Sequence, residues 1–103
     1  MKIKVTAKNY PQEVLRSGMP VLVEFFAVWC GKCAMMADIV DELASEYAGR
    51  VKVCQIDIEE CEILSSEFDV EVVPTFVLFK GGRPVSAASG VLNKEVLIDM
   101  IES

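Results

Sequence analysis

The sequence predicts an α/β protein: a central mixed, mostly parallel sheet with helices on both faces and an antiparallel hairpin near the C-terminus. Three observations carry this. Apolar, β-branched runs at 21–26, 51–58 and 75–79 alternate with stretches of helical periodicity. Strands alternating with helices favour parallel pairing, because each right-handed crossover returns the chain alongside the strand it left. Gly81-Gly82 is a two-residue turn signal after an apolar run, which joins its flanking strands antiparallel.

The elements follow in order. Residues 3–6 read as a weak strand, and 9–17 as a short helix with Pro11 near its start and a stop at Gly18. Val21-Leu22-Val23-Glu24-Phe25-Phe26 is apolar on both parities except for one carboxylate, so it reads as a strand covered on both faces. Met36, Ile39, Val40, Leu43 and Tyr47 form one helical stripe that ends before Gly49. Strand 51–58, a short helix over 60–67 and strand 75–79 come next, and 84–89 completes the hairpin. Asn93 is placed to cap a last helix with Val96, Leu97, Met100 and Ile101 on its apolar side. At 103 residues the chain suffices for one packed core and not two, so residues 1–103 are read as one domain.

Composition narrows the function. Hydrophobic residues make up 52% and charged residues 25%, which suits a compact chain rather than a disordered one. No apolar run approaches the roughly 20 residues that span a bilayer. Ten basic against sixteen acidic side chains give a net charge of −6, which argues against nucleic acid and anionic membrane as partners. Seven carboxylates and no Lys or Arg lie between 57 and 71; this reads as a solvated helix face or as a bias toward basic partner surfaces. The first residues lack the apolar stretch of a secretory signal, so the expectation is a monomer in a reducing, cytoplasmic compartment. There is no histidine, which removes imidazole from every catalytic or metal-binding scheme.

Trp29-Cys30-Gly31-Lys32-Cys33 falls where the first strong strand ends and the long helix begins. The first turn of a helix has free N–H groups and a positive dipole end, both favourable to an anion. A thiolate is the attacking species in disulfide exchange, so this location makes Cys30 the reactive sulfur. Cys33, one turn inside, is the more buried sulfur and the one that resolves. A static staple between them is the bland alternative, but so short a loop restrains the unfolded chain little. A zinc site would need Cys54 and Cys61 as its second pair, and their gap is wider than the usual spacing.

With these residues the chain resembles the thioredoxin family over 21–90, through Val21-Leu22-Val23-Glu24-Phe25-Phe26-Ala27, the Trp29–Cys33 segment, Val73-Pro74-Thr75-Phe76 and Phe79-Lys80-Gly81-Gly82. The resemblance implies a thioredoxin fold and a protein disulfide reductase working through a redox-active Cys30–Cys33 disulfide, with no bound cofactor or metal. It implies thioredoxin reductase and protein disulfides as partners. It further implies a cis bond before Pro74 and a shallow apolar groove of Trp29, Val73, Pro74 and Gly90 for an extended substrate segment. By the same likeness Glu24 corresponds to a buried acid, usually Asp, that serves proton transfer to the second cysteine. Burial in an apolar strand pushes such a carboxyl upward.

Four departures stand out. Glu24 stands for the usual Asp and Gln55 for a frequent lysine near it, and Gly31-Lys32 replaces the usual Gly-Pro, making Gly31 and Lys32 redox-tuning positions. Asp38 replaces a helix-kinking proline, so the long helix is expected to run straighter. The absence of His between the cysteines separates the chain from isomerase and oxidant relatives. Cys54 reads as a core residue, and Cys61 as a small buried group or a regulatory thiol. A binding module or partner-specific redox subunit on the same fold is the other reading, since fold alone does not fix function.

Overall fold

Strand β2 (Val21–Phe26) takes the middle of the sheet because its side chains are apolar on both faces. In the computed structural model, which describes residues 2–103, it is flanked by β3 (Lys52–Asp57) and β4 (Thr75–Lys80), with β1 (Lys2–Lys4) and β5 (Arg83–Ser89) at the edges. Helices α1 (Gly31–Glu46), α2 (Glu62–Glu67) and α3 (Lys94–Glu102) complete the fold, with one wide helical turn at Pro11–Leu15.

The sheet is mixed, in the order β1-β3-β2-β4-β5. β3 runs parallel to β1 and β2, while β4 is antiparallel to both β2 and β5. Antiparallel pairing therefore begins one junction before the expected hairpin, and the parallel share is smaller than the alternation of elements suggests. The connection from β3 to β4 explains this. Its helix has six residues, about 9 Å of rise, against about 20 Å for a six-residue strand. A helix that short does not carry the chain back along the sheet, so β4 starts at the end where β3 stops.

Two cores form, one on each face. Val21, Val23, Phe25, Ile56 and Phe79 pack on one side with Val14 and Leu64, and Phe68 stacks edge-on or tilted against Tyr10, Phe25 and Phe79. On the other side Leu22, Val53, Phe76 and Leu78 meet Met36, Val40 and Leu43 of α1 and Leu97 and Ile101 of α3. α1 runs unbroken through Asp38 and ends at Tyr47, with Gly49 at φ +84° just beyond.

Three local expectations need adjusting. The 9–17 helix is a single wide turn, in which Arg16 N–H donates to the Pro11 carbonyl five residues back. Asn9 bonds the Thr6 N–H instead, at 2.7 Å, which holds the entry to that turn. The helix expected from 60 begins at Glu62, because Asp57 accepts the Glu59 N–H through its side chain and the Glu60 and Cys61 N–H groups through its carbonyl. Val96 is exposed rather than part of the α3 core face, which Leu97 and Ile101 supply.

Candidate active site

The site forms at the end of the sheet where β2 delivers its chain into α1. Cys30 is the N-cap of α1, with extended backbone at φ −87° and ψ 111°. A side chain in that position takes an otherwise unpaired N–H of the first turn. Here the group is a thiol: Cys30 Sγ accepts the Cys33 N–H at 3.2 Å. The Cys30 thiol also donates to the Val73 carbonyl, at 3.5 Å. All four cysteines are free, so this is the dithiol form.

Cys30 is partly exposed and Cys33 is buried. Burial, with the hydrogen bond of its thiol to Cys30 next in weight, pushes the Cys33 thiol up to about 12. The two sulfurs therefore differ in access, and the buried one holds its proton tightly.

Glu24 is 3% exposed, and Gln55 Nε2 donates to its Oε1 at 2.8 Å. Burial raises its carboxyl above the ordinary carboxylate range; the Gln55 bond and the Lys2 charge act against this, and Asp41 adds to it. A cavity of about 260 Å³ is lined by Glu24, Gln55, Ala27, Ala34, Cys30 and Cys33. Glu24 and both cysteines thus line one open cleft. Alanines line it where larger side chains would separate acid from sulfur, a role the sequence gives no means of reading.

The residues expected to form the groove fall into two sets. Val73 and Pro74 are joined by a cis bond, and Gly90 N–H, at φ +95°, donates to the Pro74 carbonyl at 2.8 Å. Thr75 Oγ1 donates to the Val72 carbonyl at 2.6 Å and lies 3.0 Å from Ser89 Oγ, so β4 and β5 together hold the loop facing Cys30. Trp29 is 65% exposed and lines a separate cleft with Ile58, Glu59, Glu62, Asp69 and Glu71. Gly31 and Lys32 are exposed in the first turn of α1, and Lys32 makes no ion pair among the described residues.

Cys54 and Cys61 lie in the core on the sheet face opposite α1, away from Cys33. Burial pushes the Cys54 thiol up to about 12, and Cys61 is 4% exposed. Among the described residues no three His, Cys, Asp or Glu side chains are grouped to hold a metal ion.

Comparison with known proteins agrees with this geometry. The family model described as Thioredoxin matches residues 1–103. The chain is 40% identical to thioredoxin 1 of Nostoc sp., over 96% of this chain and 92% of that one. It is 41% identical to the thioredoxin of Rickettsia felis, over 98% and 96% of the two chains. It is also 41% identical to the chloroplastic thioredoxin M3 of Oryza sativa, over 95% of this chain and 56% of the longer relative. A match along the whole chain, with two cysteines of unequal burial at the helix end, places it: the chain belongs to the thioredoxin family and is a thiol–disulfide oxidoreductase of the protein disulfide reductase kind.

Proposed function

We propose that Cys30 attacks and Cys33 resolves in the reduction of protein disulfides, with Glu24 handling the proton. The observation that carries this is the asymmetry of the two sulfurs. Cys30 is partly exposed and takes a backbone N–H at 3.2 Å, whereas the Cys33 thiol is buried and pushed up to about 12. The Cys30 thiolate displaces one sulfur of the substrate disulfide, forming a mixed disulfide and releasing a substrate thiolate. Cys33 then attacks Cys30 Sγ, which releases the second substrate thiolate and closes the Cys30–Cys33 disulfide. Two electrons pass to the substrate, and both released thiolates take up protons.

Cys33 must lose its proton to attack, and a thiol held near 12 needs a base to take it. In this reading the Glu24 carboxyl, which lines the same cavity, takes that proton in its ionised form. An extended substrate segment lies beside Val73, Pro74, Gly90 and Trp29, with Gly31 and Lys32 setting the redox balance at the helix end. Thioredoxin reductase returns the disulfide to the dithiol, and the setting is the reducing cytoplasm, where a monomer meets many targets. No helix among the described residues is long and apolar enough to cross a membrane.

Brief alkylation of the reduced protein at neutral pH, followed by mass mapping, is expected to label Cys30 ahead of every other thiol. The Cys33→Ser variant is expected to accumulate mixed disulfides with its targets through Cys30. First labelling at Cys54 or Cys61 would sink the assignment.

A further inference from the structure

The β3 residue beside Glu24 is the neutral Gln55, and the cation on that strand, Lys52, pairs with Glu13. The edge strand supplies another cation. In the parallel register Lys2 is level with Val53, and Val53 with Leu22, two residues before Glu24 on the same strand. Register partners point to one side of a sheet, and residues two apart on a strand share a face. Val53 and Leu22 pack against α1 and α3, so Lys2 and Glu24 both lie on the face that α1 covers. Asp41 of α1 fixes the lysine there, with Nζ to Oδ1 at 2.7 Å.

Lys4 is level with Gln55 and with Glu24 itself and shares their face, but its ammonium is drawn off to Glu60, beyond the end of β3, and its side chain is 63% exposed, against 30% for Lys2, which is held to α1. Two strand spacings, about 10 Å, and a two-residue offset separate Lys2 from Glu24 on the sheet, and at its partly exposed site the lysine charge acts weakly over that span. The polar and charged groups facing the carboxyl are Gln55 on β3, Lys2 on β1, and Asp41 and the Cys33 thiol on α1.

We propose that Lys2, held in place by Asp41, is the cation that acts on the Glu24 carboxyl in this chain, in the position for which β3 has only Gln55. Lys2 is a positioning residue, not a catalytic one: it touches neither cysteine nor substrate and works through the charge state of Glu24. Asp41 has two opposed effects, anchoring the lysine and opposing ionisation of Glu24 by its own charge. The pair accordingly sets the proton affinity of Glu24 from outside the active site. The consequence for turnover rests on the proton role proposed above for Glu24.

The test reads the carboxyl directly, by carbon NMR titration of Glu24 in the full-length reduced protein, alongside the pH profile of disulfide reduction. Lys2→Met is expected to move the Glu24 midpoint upward by a fraction of a pH unit, and Lys2→Arg to restore it. Asp41→Asn is expected to move it downward, and Lys4→Met to leave it in place. A Lys2→Met midpoint that stays put or falls, or a Lys4→Met shift as large as that of Lys2→Met, overturns the proposal. If the midpoint moves as expected while the reduction profile does not, the Lys2 assignment stands and the proton role of Glu24 fails.

Discussion

Glu24 and Cys33 are both buried acids whose proton affinity is raised chiefly by loss of solvent. For Glu24 the effect on stability has a definite sign. A folded-state pKa above the unfolded one means that the wild-type protein loses stability as pH rises from the ordinary carboxylate value through the raised one. Glu24→Gln removes that loss, keeps an oxygen to accept from Gln55, and is expected to be the more stable protein at neutral pH. The gap should grow through that window and level off above it, by about 1.4 kcal/mol for each unit of displacement. Denaturant melts between pH 4 and 9 check this, and the same variant should reduce disulfides more slowly. Lys32 occupies the second helical position, where the N–H has no intrahelical partner, so Lys32→Pro is compatible with α1. Removing the exposed cation and stiffening the loop both disfavour the reduced form. Each effect is near or below 1 kcal/mol and 30 mV corresponds to about 1.4 kcal/mol, so the potential should become more negative by tens of millivolts. Equilibration against a defined glutathione couple measures it; a positive shift, or one beyond about 60 mV, contradicts the account.

At the scale of elements, the hairpin and the wide helical turn are coupled through one glycine. Gly81 and Gly82 both have positive φ, +59° and +78°, as the tight turn between β4 and β5 requires. Around Gly81 there is open space, but a Cβ on Gly82 would sit 2.5 Å from the Leu15 carbonyl oxygen. Gly81→Ala should therefore lose only the conformational preference, about 1–2 kcal/mol. Gly82→Ala should lose that and also displace the Pro11–Leu15 turn or the hairpin, making it clearly the worse of the two in a chemical melt. Equal losses would show that the contact with Leu15 yields freely. The same hairpin places Ser89 and Gly90 against Thr75 and Pro74, so the loop facing Cys30 depends on a turn at the opposite end of those strands.

Across the whole molecule, the two cores on opposite faces of the sheet have different duties. The α1 face holds the active-site helix, the acid and its charges, whereas the opposite face is a purely structural core around Phe25, Phe68 and Phe79. Phe25→Ala in that second core is expected to cost about 3–5 kcal/mol, a large part of the 5–15 kcal/mol that holds a typical domain together. The thermal midpoint should fall by about 4–8 °C per kcal/mol. Below the transition the variant should keep the wild-type reduction potential, because Phe25 faces away from α1. A changed potential in the folded variant would mean that the two faces are coupled through β2.

Local sequence was enough for the elements themselves. Residues 21–26 could only be a doubly covered strand, the stripe from Met36 to Tyr47 only a helix, and Gly81-Gly82 only a tight turn, because in each case neighbouring side chains dictate the local geometry. The Cys30-Gly31-Lys32-Cys33 segment was equally legible, since helix-end chemistry acts within one turn of chain. What the sequence could not supply was distance between elements. The antiparallel placement of β4 follows from how far a six-residue helix reaches, and the cavity shared by Glu24, Cys30 and Cys33 from how closely α1 lies on β2. The charges acting on Glu24 come from Lys2 and Asp41, 22 positions before it and 17 after it, because electrostatics and packing follow separation in space rather than along the chain.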